Sequence, residues 1–235
     1  MRPILASLLL AAGFCLSLSA AEPRTEASAV TPVLINRHSG FLAQIAAAKG
    51  DFDLLLIGDS ITDLWPRKGK ASYAVFAPWK PLNLGVSGER TEQVLWRLQN
   101  GELDGIHPKA AMIMIGTNNL GQFATEKPEW TAAGVGKIIA TVQEKLPKTK
   151  ILLLSIFPRS EMPTDPIRHR VNATNALIAK LADGKMVTYL DIGGKFLAAD
   201  GTLPKDIMPD LLHPNEKGYQ IWLDAVKPTL DDMMK

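Results

Sequence analysis

The chain has 235 residues, 46% of them hydrophobic and 21% charged, with a formal net charge of +2. That length and composition suit one globular domain with a sizeable core. The basic residues are scattered along the chain, which excludes the basic stripe of a nucleic-acid-binding protein.

At the N-terminus, Arg2 precedes an apolar stretch from Ile4 to Leu18, and Ser19-Ala20-Ala21 follows. This basic, apolar, small-residue order is that of a secretory signal peptide over residues 1–21, with cleavage before Glu22. An uncleaved anchor is the alternative, but the apolar core falls short of the roughly 20 residues a spanning helix needs. Cys15, the only cysteine, follows bulky Phe14 where lipoprotein signals carry a small residue. Lipidation is therefore not expected, and the processed chain has no thiol for a disulfide, a nucleophile or a metal site. The expected location is periplasmic or secreted, without stable membrane insertion after cleavage.

Residues 22–31 are polar and read as a flexible lead-in to one domain over 32–235. Leu34, Phe41, Leu42 and Ile45 mark a helix closing near Gly50. Leu54-Leu55-Leu56-Ile57 is a short continuous apolar run, the pattern of a fully buried strand, and it ends at Gly58-Asp59-Ser60. Residues 61–80 contain Pro66, Gly69, Ser72 and Pro78 as breakers, and read as an irregular excursion. Leu82-Asn83-Leu84 is a second strand, after which Thr91 is expected to cap a helix carrying Val94, Leu95 and Leu98. A third strand, Ala110 to Ile115, runs into Gly116-Thr117-Asn118-Asn119. A helix from Thr131 to Leu146, a strand from Ile151 to Ile156, a helix over 166–182 and a strand from Val187 to Ile192 follow. Asn215 then caps a last helix reaching Met233. Strands separated by helices predict a parallel sheet of about five strands with helices on both faces, an α/β fold.

A glycine at the end of a buried strand delivers the next side chains to the carboxyl edge of the sheet, where open α/β folds place their chemistry. Ser60 is there. A serine nucleophile needs a base, an orienting group and donors for an oxyanion. His38, His107 and His169 read as solvated surface residues. His213 lies in Asp210-Leu211-Leu212-His213-Pro214, three residues after a carboxylate, on the loop entering the last helix. On a tight loop that aspartate can reach the imidazole Nδ1–H, fix its tautomer and turn Nε2 to the serine. Equally, Asp210 and Asn215 can serve only as caps for the last helix. Gly85-Val86-Ser87-Gly88 and Gly116-Thr117-Asn118 follow the second and third strands. The Gly88 N–H, the Asn118 amide and the Ser60 N–H can there surround an oxyanion.

Together Gly58-Asp59-Ser60, Gly88, Gly116-Thr117-Asn118 and Asp210-Leu211-Leu212-His213 resemble the four sequence blocks of the GDSL, or SGNH, hydrolases. Within that family the chain is similar to the catalytic subunits of intracellular platelet-activating-factor acetylhydrolase. Leu82-Asn83-Leu84-Gly85, Val94-Leu95-Trp96-Arg97-Leu98, Asn100-Gly101-Glu102-Leu103, Pro158-Arg159 and Asp200-Gly201 carry this likeness. It implies a three-layer, flavodoxin-like fold and an esterase. It assigns Ser60 as nucleophile, His213 as base, Asp210 as its partner, and Gly88 and Asn118 as oxyanion donors. Ile61 replaces the leucine of the family's name. The signal segment does not fit an intracellular enzyme, so the lipid-mediator substrate is not carried over; association into a homodimer is open.

Gly134-Val135-Gly136-Lys137 resembles a phosphate-loop fragment, but Thr131 and Ile138 occupy its first-glycine and Ser/Thr positions, and the segment reads as helix. Asn172-Ala173-Thr174 likewise falls within a helix. No metal and no cofactor are expected. Trp96 and Trp222 read as core, whereas Trp65 and Trp130 are candidates for stacking on a ligand ring. Ile61 and Leu212, flanking the nucleophile and the base, are the expected walls of a small acyl pocket. The resulting expectation is removal of short acyl groups, chiefly acetyl, from an O-acylated carbohydrate. A lysophospholipid ester is the alternative, and a non-catalytic carbohydrate-binding module the third reading.

Overall fold

A computed structural model describes residues 24–27 and 32–235; the expected signal peptide lies outside the described residues. Helix α1 (Pro32–Ala47) leads to strand β1 (Leu54–Gly58). Three short helices follow, α2 (Ser60–Asp63), α3 (Trp65–Lys68) and α4 (Lys70–Ala74), before β2 (Pro81–Gly85) and α5 (Thr91–Arg97). The chain continues through β3 (Ala110–Met114), α6 (Thr117–Gln122), α7 (Pro128–Lys145), β4 (Lys150–Leu154), α8 (Pro166–Ile178), β5 (Val187–Leu190) and α9 (Glu216–Met233).

All four strand pairings are parallel, in the order β2-β1-β3-β4-β5. Because strand side chains alternate between faces, the apolar runs feed two separate cores. Leu55, Ile57, Ala111, Ile113, Ile151 and Leu153 face one side, under Val94 and Leu95 of α5, Val135 and Ile138 of α7, and Val171 of α8. Leu54, Leu56, Met112, Met114, Leu152 and Leu154 face the other, under Trp65 and the α9 residues Tyr219, Trp222, Val226 and Leu230. The result is the expected three-layer flavodoxin-like fold, whose strand order changes direction at β1 and β3 and leaves a crevice beyond their carboxyl ends.

Residues 61–80 are more regular than their breakers suggested. Each helix there is too short for a periodic signal, yet Trp65 is fully buried, its ring 4.0 Å from Trp222 and 5.5 Å from Tyr219. Its indole N–H donates to Ser72 Oγ at 2.8 Å. Trp65 is thus a core residue and not a ligand platform. Trp130 is half-buried in the first turn of α7 under Lys127. Thr91 is the first residue of α5 and not its cap, which is Arg90. Asn215 does cap α9, its side chain accepting from the Gly218 N–H.

Gly58 is needed for close approach, since a Cβ would meet Thr62 Oγ1 at 2.2 Å and the Met114 carbonyl at 2.6 Å. Among the described residues, no helix is long and apolar enough to cross a membrane.

Candidate active site

Four loops at the carboxyl edge of the sheet bring the sequence-selected residues together. Ser60 opens α2 directly after β1, and Asp59 caps it, Oδ1 accepting from the Ile61 N–H at 3.0 Å. The first N–H groups of a helix have no acceptor within it, so the Ser60 amide is free to face the crevice.

His213 reaches Ser60 from the loop before α9. Its Nε2 lies 2.9 Å from Ser60 Oγ, and its Nδ1 lies 2.7 Å from Asp210 Oδ2. The other Asp210 oxygen accepts from the backbone N–H groups of His213 at 2.7 Å and Leu212 at 3.1 Å. This local turn forces Leu211 into a left-handed backbone (φ 60°), and the Ser160 N–H donates to its carbonyl. Partial burial works against the charged form of Asp210. The N–H and imidazole of His213 and the N–H of Leu212 outweigh it and hold the carboxyl below its ordinary range. The loop is pinned further by Asn215 Nδ2, which donates to the Asp206 carbonyl, and by Tyr219, whose hydroxyl donates to the Ile61 carbonyl at 2.7 Å.

Gly88 and Asn118 border the same depression as Ser60 and His213. Gly88 has a left-handed backbone (φ 84°), which glycine adopts without strain. Asn118 donates one amide hydrogen to the Glu89 carbonyl at 2.9 Å, which fixes the amide plane and leaves the second hydrogen for a ligand. Gln122, at the far end of α6, donates to the Gly88 carbonyl at 3.1 Å and accepts from Arg90 Nη1 at 2.8 Å. Asn119 Oδ1 accepts from the Thr91 N–H. Three side chains of the helix after β3, Asn118, Asn119 and Gln122, therefore clip it to the loop after β2 and to the start of α5.

The depression's apolar walls are Leu64 and Leu212. Ile61 is not among them: it is 1% exposed and packs into the α9-side core. One turn of helix separates Ser60 from Leu64, so these two share a face while Ile61 points inward.

Several charged groups behind the site were not singled out from the sequence as functional residues. Arg97, Glu89 and Glu102 are all fully buried. Arg97 makes a forked contact to Glu89, pairs with Glu102 and donates to the Leu84 carbonyl at 2.9 Å. His38, expected at the surface, is 7% exposed with Nδ1 2.8 Å from Glu102, and its ring meets Trp96 edge-on. His107 and His169 are exposed as expected. Within segment 22–31, Arg24 pairs with Glu126 at 2.9 Å and Glu92 at 3.0 Å, and lies over the Phe123 ring. The one available hint was that Arg97 sits a single turn from Val94, on the buried stripe of its helix.

A family model described as GDSL-like lipase/acylhydrolase matches residues 56–221. The chain is 35% identical over 168 residues to the human platelet-activating factor acetylhydrolase IB subunit alpha1, an alignment covering 71% of this chain and 70% of that one. It is 37% identical over 171 residues to the rat alpha2 subunit, with 71% of each covered. In fold it resembles a GDSL-like lipase from Bacteroides thetaiotaomicron, with TM-score 0.71, 19% identity, and 83% and 97% of the two chains covered. It is also similar to an acetylxylan esterase from Geobacillus stearothermophilus, with TM-score 0.61, 18% identity, and 78% and 96% covered.

Proposed function

This chain belongs to the GDSL-like lipase/acylhydrolase family, and on that premise we propose that it removes short acyl groups, chiefly acetyl, from O-acylated carbohydrate through an acyl-enzyme on Ser60. The observation carrying this reading is the continuous relay from Ser60 Oγ through His213 to Asp210, at 2.9 and 2.7 Å. Esterase activity itself follows from the family.

Ser60 Oγ attacks the ester carbonyl as His213 Nε2 takes its proton, and Asp210 stabilises the imidazolium. The oxyanion settles among the Ser60 and Gly88 N–H groups and the unused hydrogen of Asn118. His213 then protonates the leaving alcohol and draws a proton from the water that releases the acid. Leu64 and Leu212 wall the depression beside Ser60, and bulky aliphatic walls favour small acyl groups. Export, read from residues 1–21, supports a carbohydrate outside the cell. A lipid ester is the second reading, favoured by the names of the 35–37% identical relatives.

Ser60→Ala is the test. Hydrolysis of a short-chain aryl ester falls at least several hundredfold, and fluorophosphonate labelling disappears. Retained turnover and labelling would remove Ser60 from the mechanism. Acetate release from acetylated xylan or sialic acid, against fatty-acid release from lysolecithin, separates the two substrates.

A further inference from the structure

Beside the Asp210–His213 loop lies a second cavity of about 350 Å³, lined by Arg159, Arg170, Ser160, Leu211 and Leu212 and bounded by Asp210. Leu212 also lines the depression at Ser60, so the two spaces adjoin. Arg159 is held in place: Nη1 donates to the Thr117 carbonyl at 2.9 Å. Its guanidinium rests on Gly121, where a Cβ would meet Nη1 at 2.0 Å and Cζ at 2.8 Å. Arg170 Nη1 donates to the carbonyls of Phe123 at 3.0 Å and Ala124 at 3.4 Å.

These anchors are neutral, and they engage only Nη1 of each fork, whereas an arginine carries five N–H donors. Arg24, Arg90 and Arg97 are all matched by buried glutamates. Among the described residues, neither Arg159 nor Arg170 forms an ion pair. Burial, and after it the nearby Arg170 cation, weaken the hold of Arg159 on its proton, against the opposing pull of Asp59 behind the cavity and Asp210 at its rim. Among the described residues Asp210 is the one carboxylate lining the cavity, and both its oxygens already accept from the His213 loop. Two adjacent cations against one engaged anion leave the cavity net positive. Ser160 lines it with a left-handed backbone (φ 71°), held by its hydroxyl donating to Asp165 at 2.6 Å.

We propose that this cavity is a subsite for an anionic group, a carboxylate or a phosphate, on the alcohol part of the ester. An acetyl group has no second polar end, so the charge belongs to the alcohol. The preferred substrates are then acidic acyl esters, not neutral ones. This rests on the Ser60 esterase reading, and it narrows the substrate class that reading left broad.

The test compares 4-nitrophenyl acetate with its ring-carboxylated analogue, each rate divided by that of alkaline hydrolysis. The wild-type chain favours the carboxylated ester by about tenfold or more in kcat/KM, and added salt shrinks that preference. Arg170→Gln removes the preference while turnover of the neutral ester stays within about twofold. Arg170→Lys, which keeps a cation there, retains part of it. An unchanged ratio in Arg170→Gln, with normal neutral-ester turnover through Ser60, overturns the subsite alone. Neutral-ester turnover that survives Ser60→Ala overturns the esterase reading instead. Glucuronate and glycerol 3-phosphate, as competitors, identify a carboxylate or a phosphate as the favoured anion. Inhibition by neither, at concentrations where salt already weakens the preference, also counts against the subsite.

Discussion

Asp59 precedes the nucleophile and is fully buried between β1 and α2. Its Oδ1 accepts from the Ile61 N–H at 3.0 Å, while Oδ2 has no hydrogen-bond partner among the described residues. Burial pushes the carboxyl up to about 7, and nearby Glu89 adds to this against the Ile61 N–H and Arg159. An unfolded aspartate titrates at about 3.9. Between those values the folded chain holds a proton that the unfolded chain has released, so stability falls as pH rises through the window. Each unit is worth about 1.4 kcal/mol, so the loss between about pH 5 and about pH 8 is roughly 3 kcal/mol. Asp59→Asn keeps the Oδ1 acceptor and the side-chain volume but cannot ionise. Its amide nitrogen inherits the unpartnered position at a cost of ~1–3 kcal/mol that does not vary with pH. Relative to wild type, the variant should therefore gain roughly 3 kcal/mol between about pH 5 and about pH 8. Urea unfolding at both pH values measures this, with the buried indoles of Trp65 and Trp222 as fluorescent reporters. A difference that stays constant to within about 0.5 kcal/mol across that range would refute a buried, protonated Asp59.

Asp210→Asn keeps the acceptor for the Leu212 and His213 N–H groups but places an amide against Nδ1. On an aryl acetate kcat should fall by about 10²–10⁴ at nearly constant KM, and a loss under about tenfold would free Asp210 from the relay. Gln122→Met removes the donor to the Gly88 carbonyl at similar length. We expect kcat to fall about tenfold with KM within about twofold, whereas a matching rise in KM would point to ground-state binding. Arg24→Ala strips the guanidinium from Glu92 and Glu126, whose side chains are 2% and 1% exposed. Arg90 still meets Glu92, so a loss of about 3 kcal/mol is expected in urea unfolding; under about 1 kcal/mol would show that the contact is not maintained in solution.

The residues legible in sequence are those whose role is set within a few positions of themselves. Ser60 follows a buried strand, Asp210 and His213 share one turn, and Asn118 follows β3, so each announces its place at the sheet edge. Where a partner lies far along the chain, nothing local records it. His38 looks like a surface residue until Glu102, 64 positions on, meets its Nδ1. Ile61 and Leu64 illustrate the finer limit. Adjacency to Ser60 suggested Ile61 as a pocket wall, but α2 begins at Ser60 itself, and helical geometry sends the next side chain inward. Leu64 returns to the nucleophile's face one turn later. Four residues are too few to display a helical period, and that same short helix presents Ser60 to the crevice while its cap, Asp59, stays buried. The element least visible in sequence therefore decides which side chains meet the substrate, and substrate size is harder to read from this chain than its chemistry.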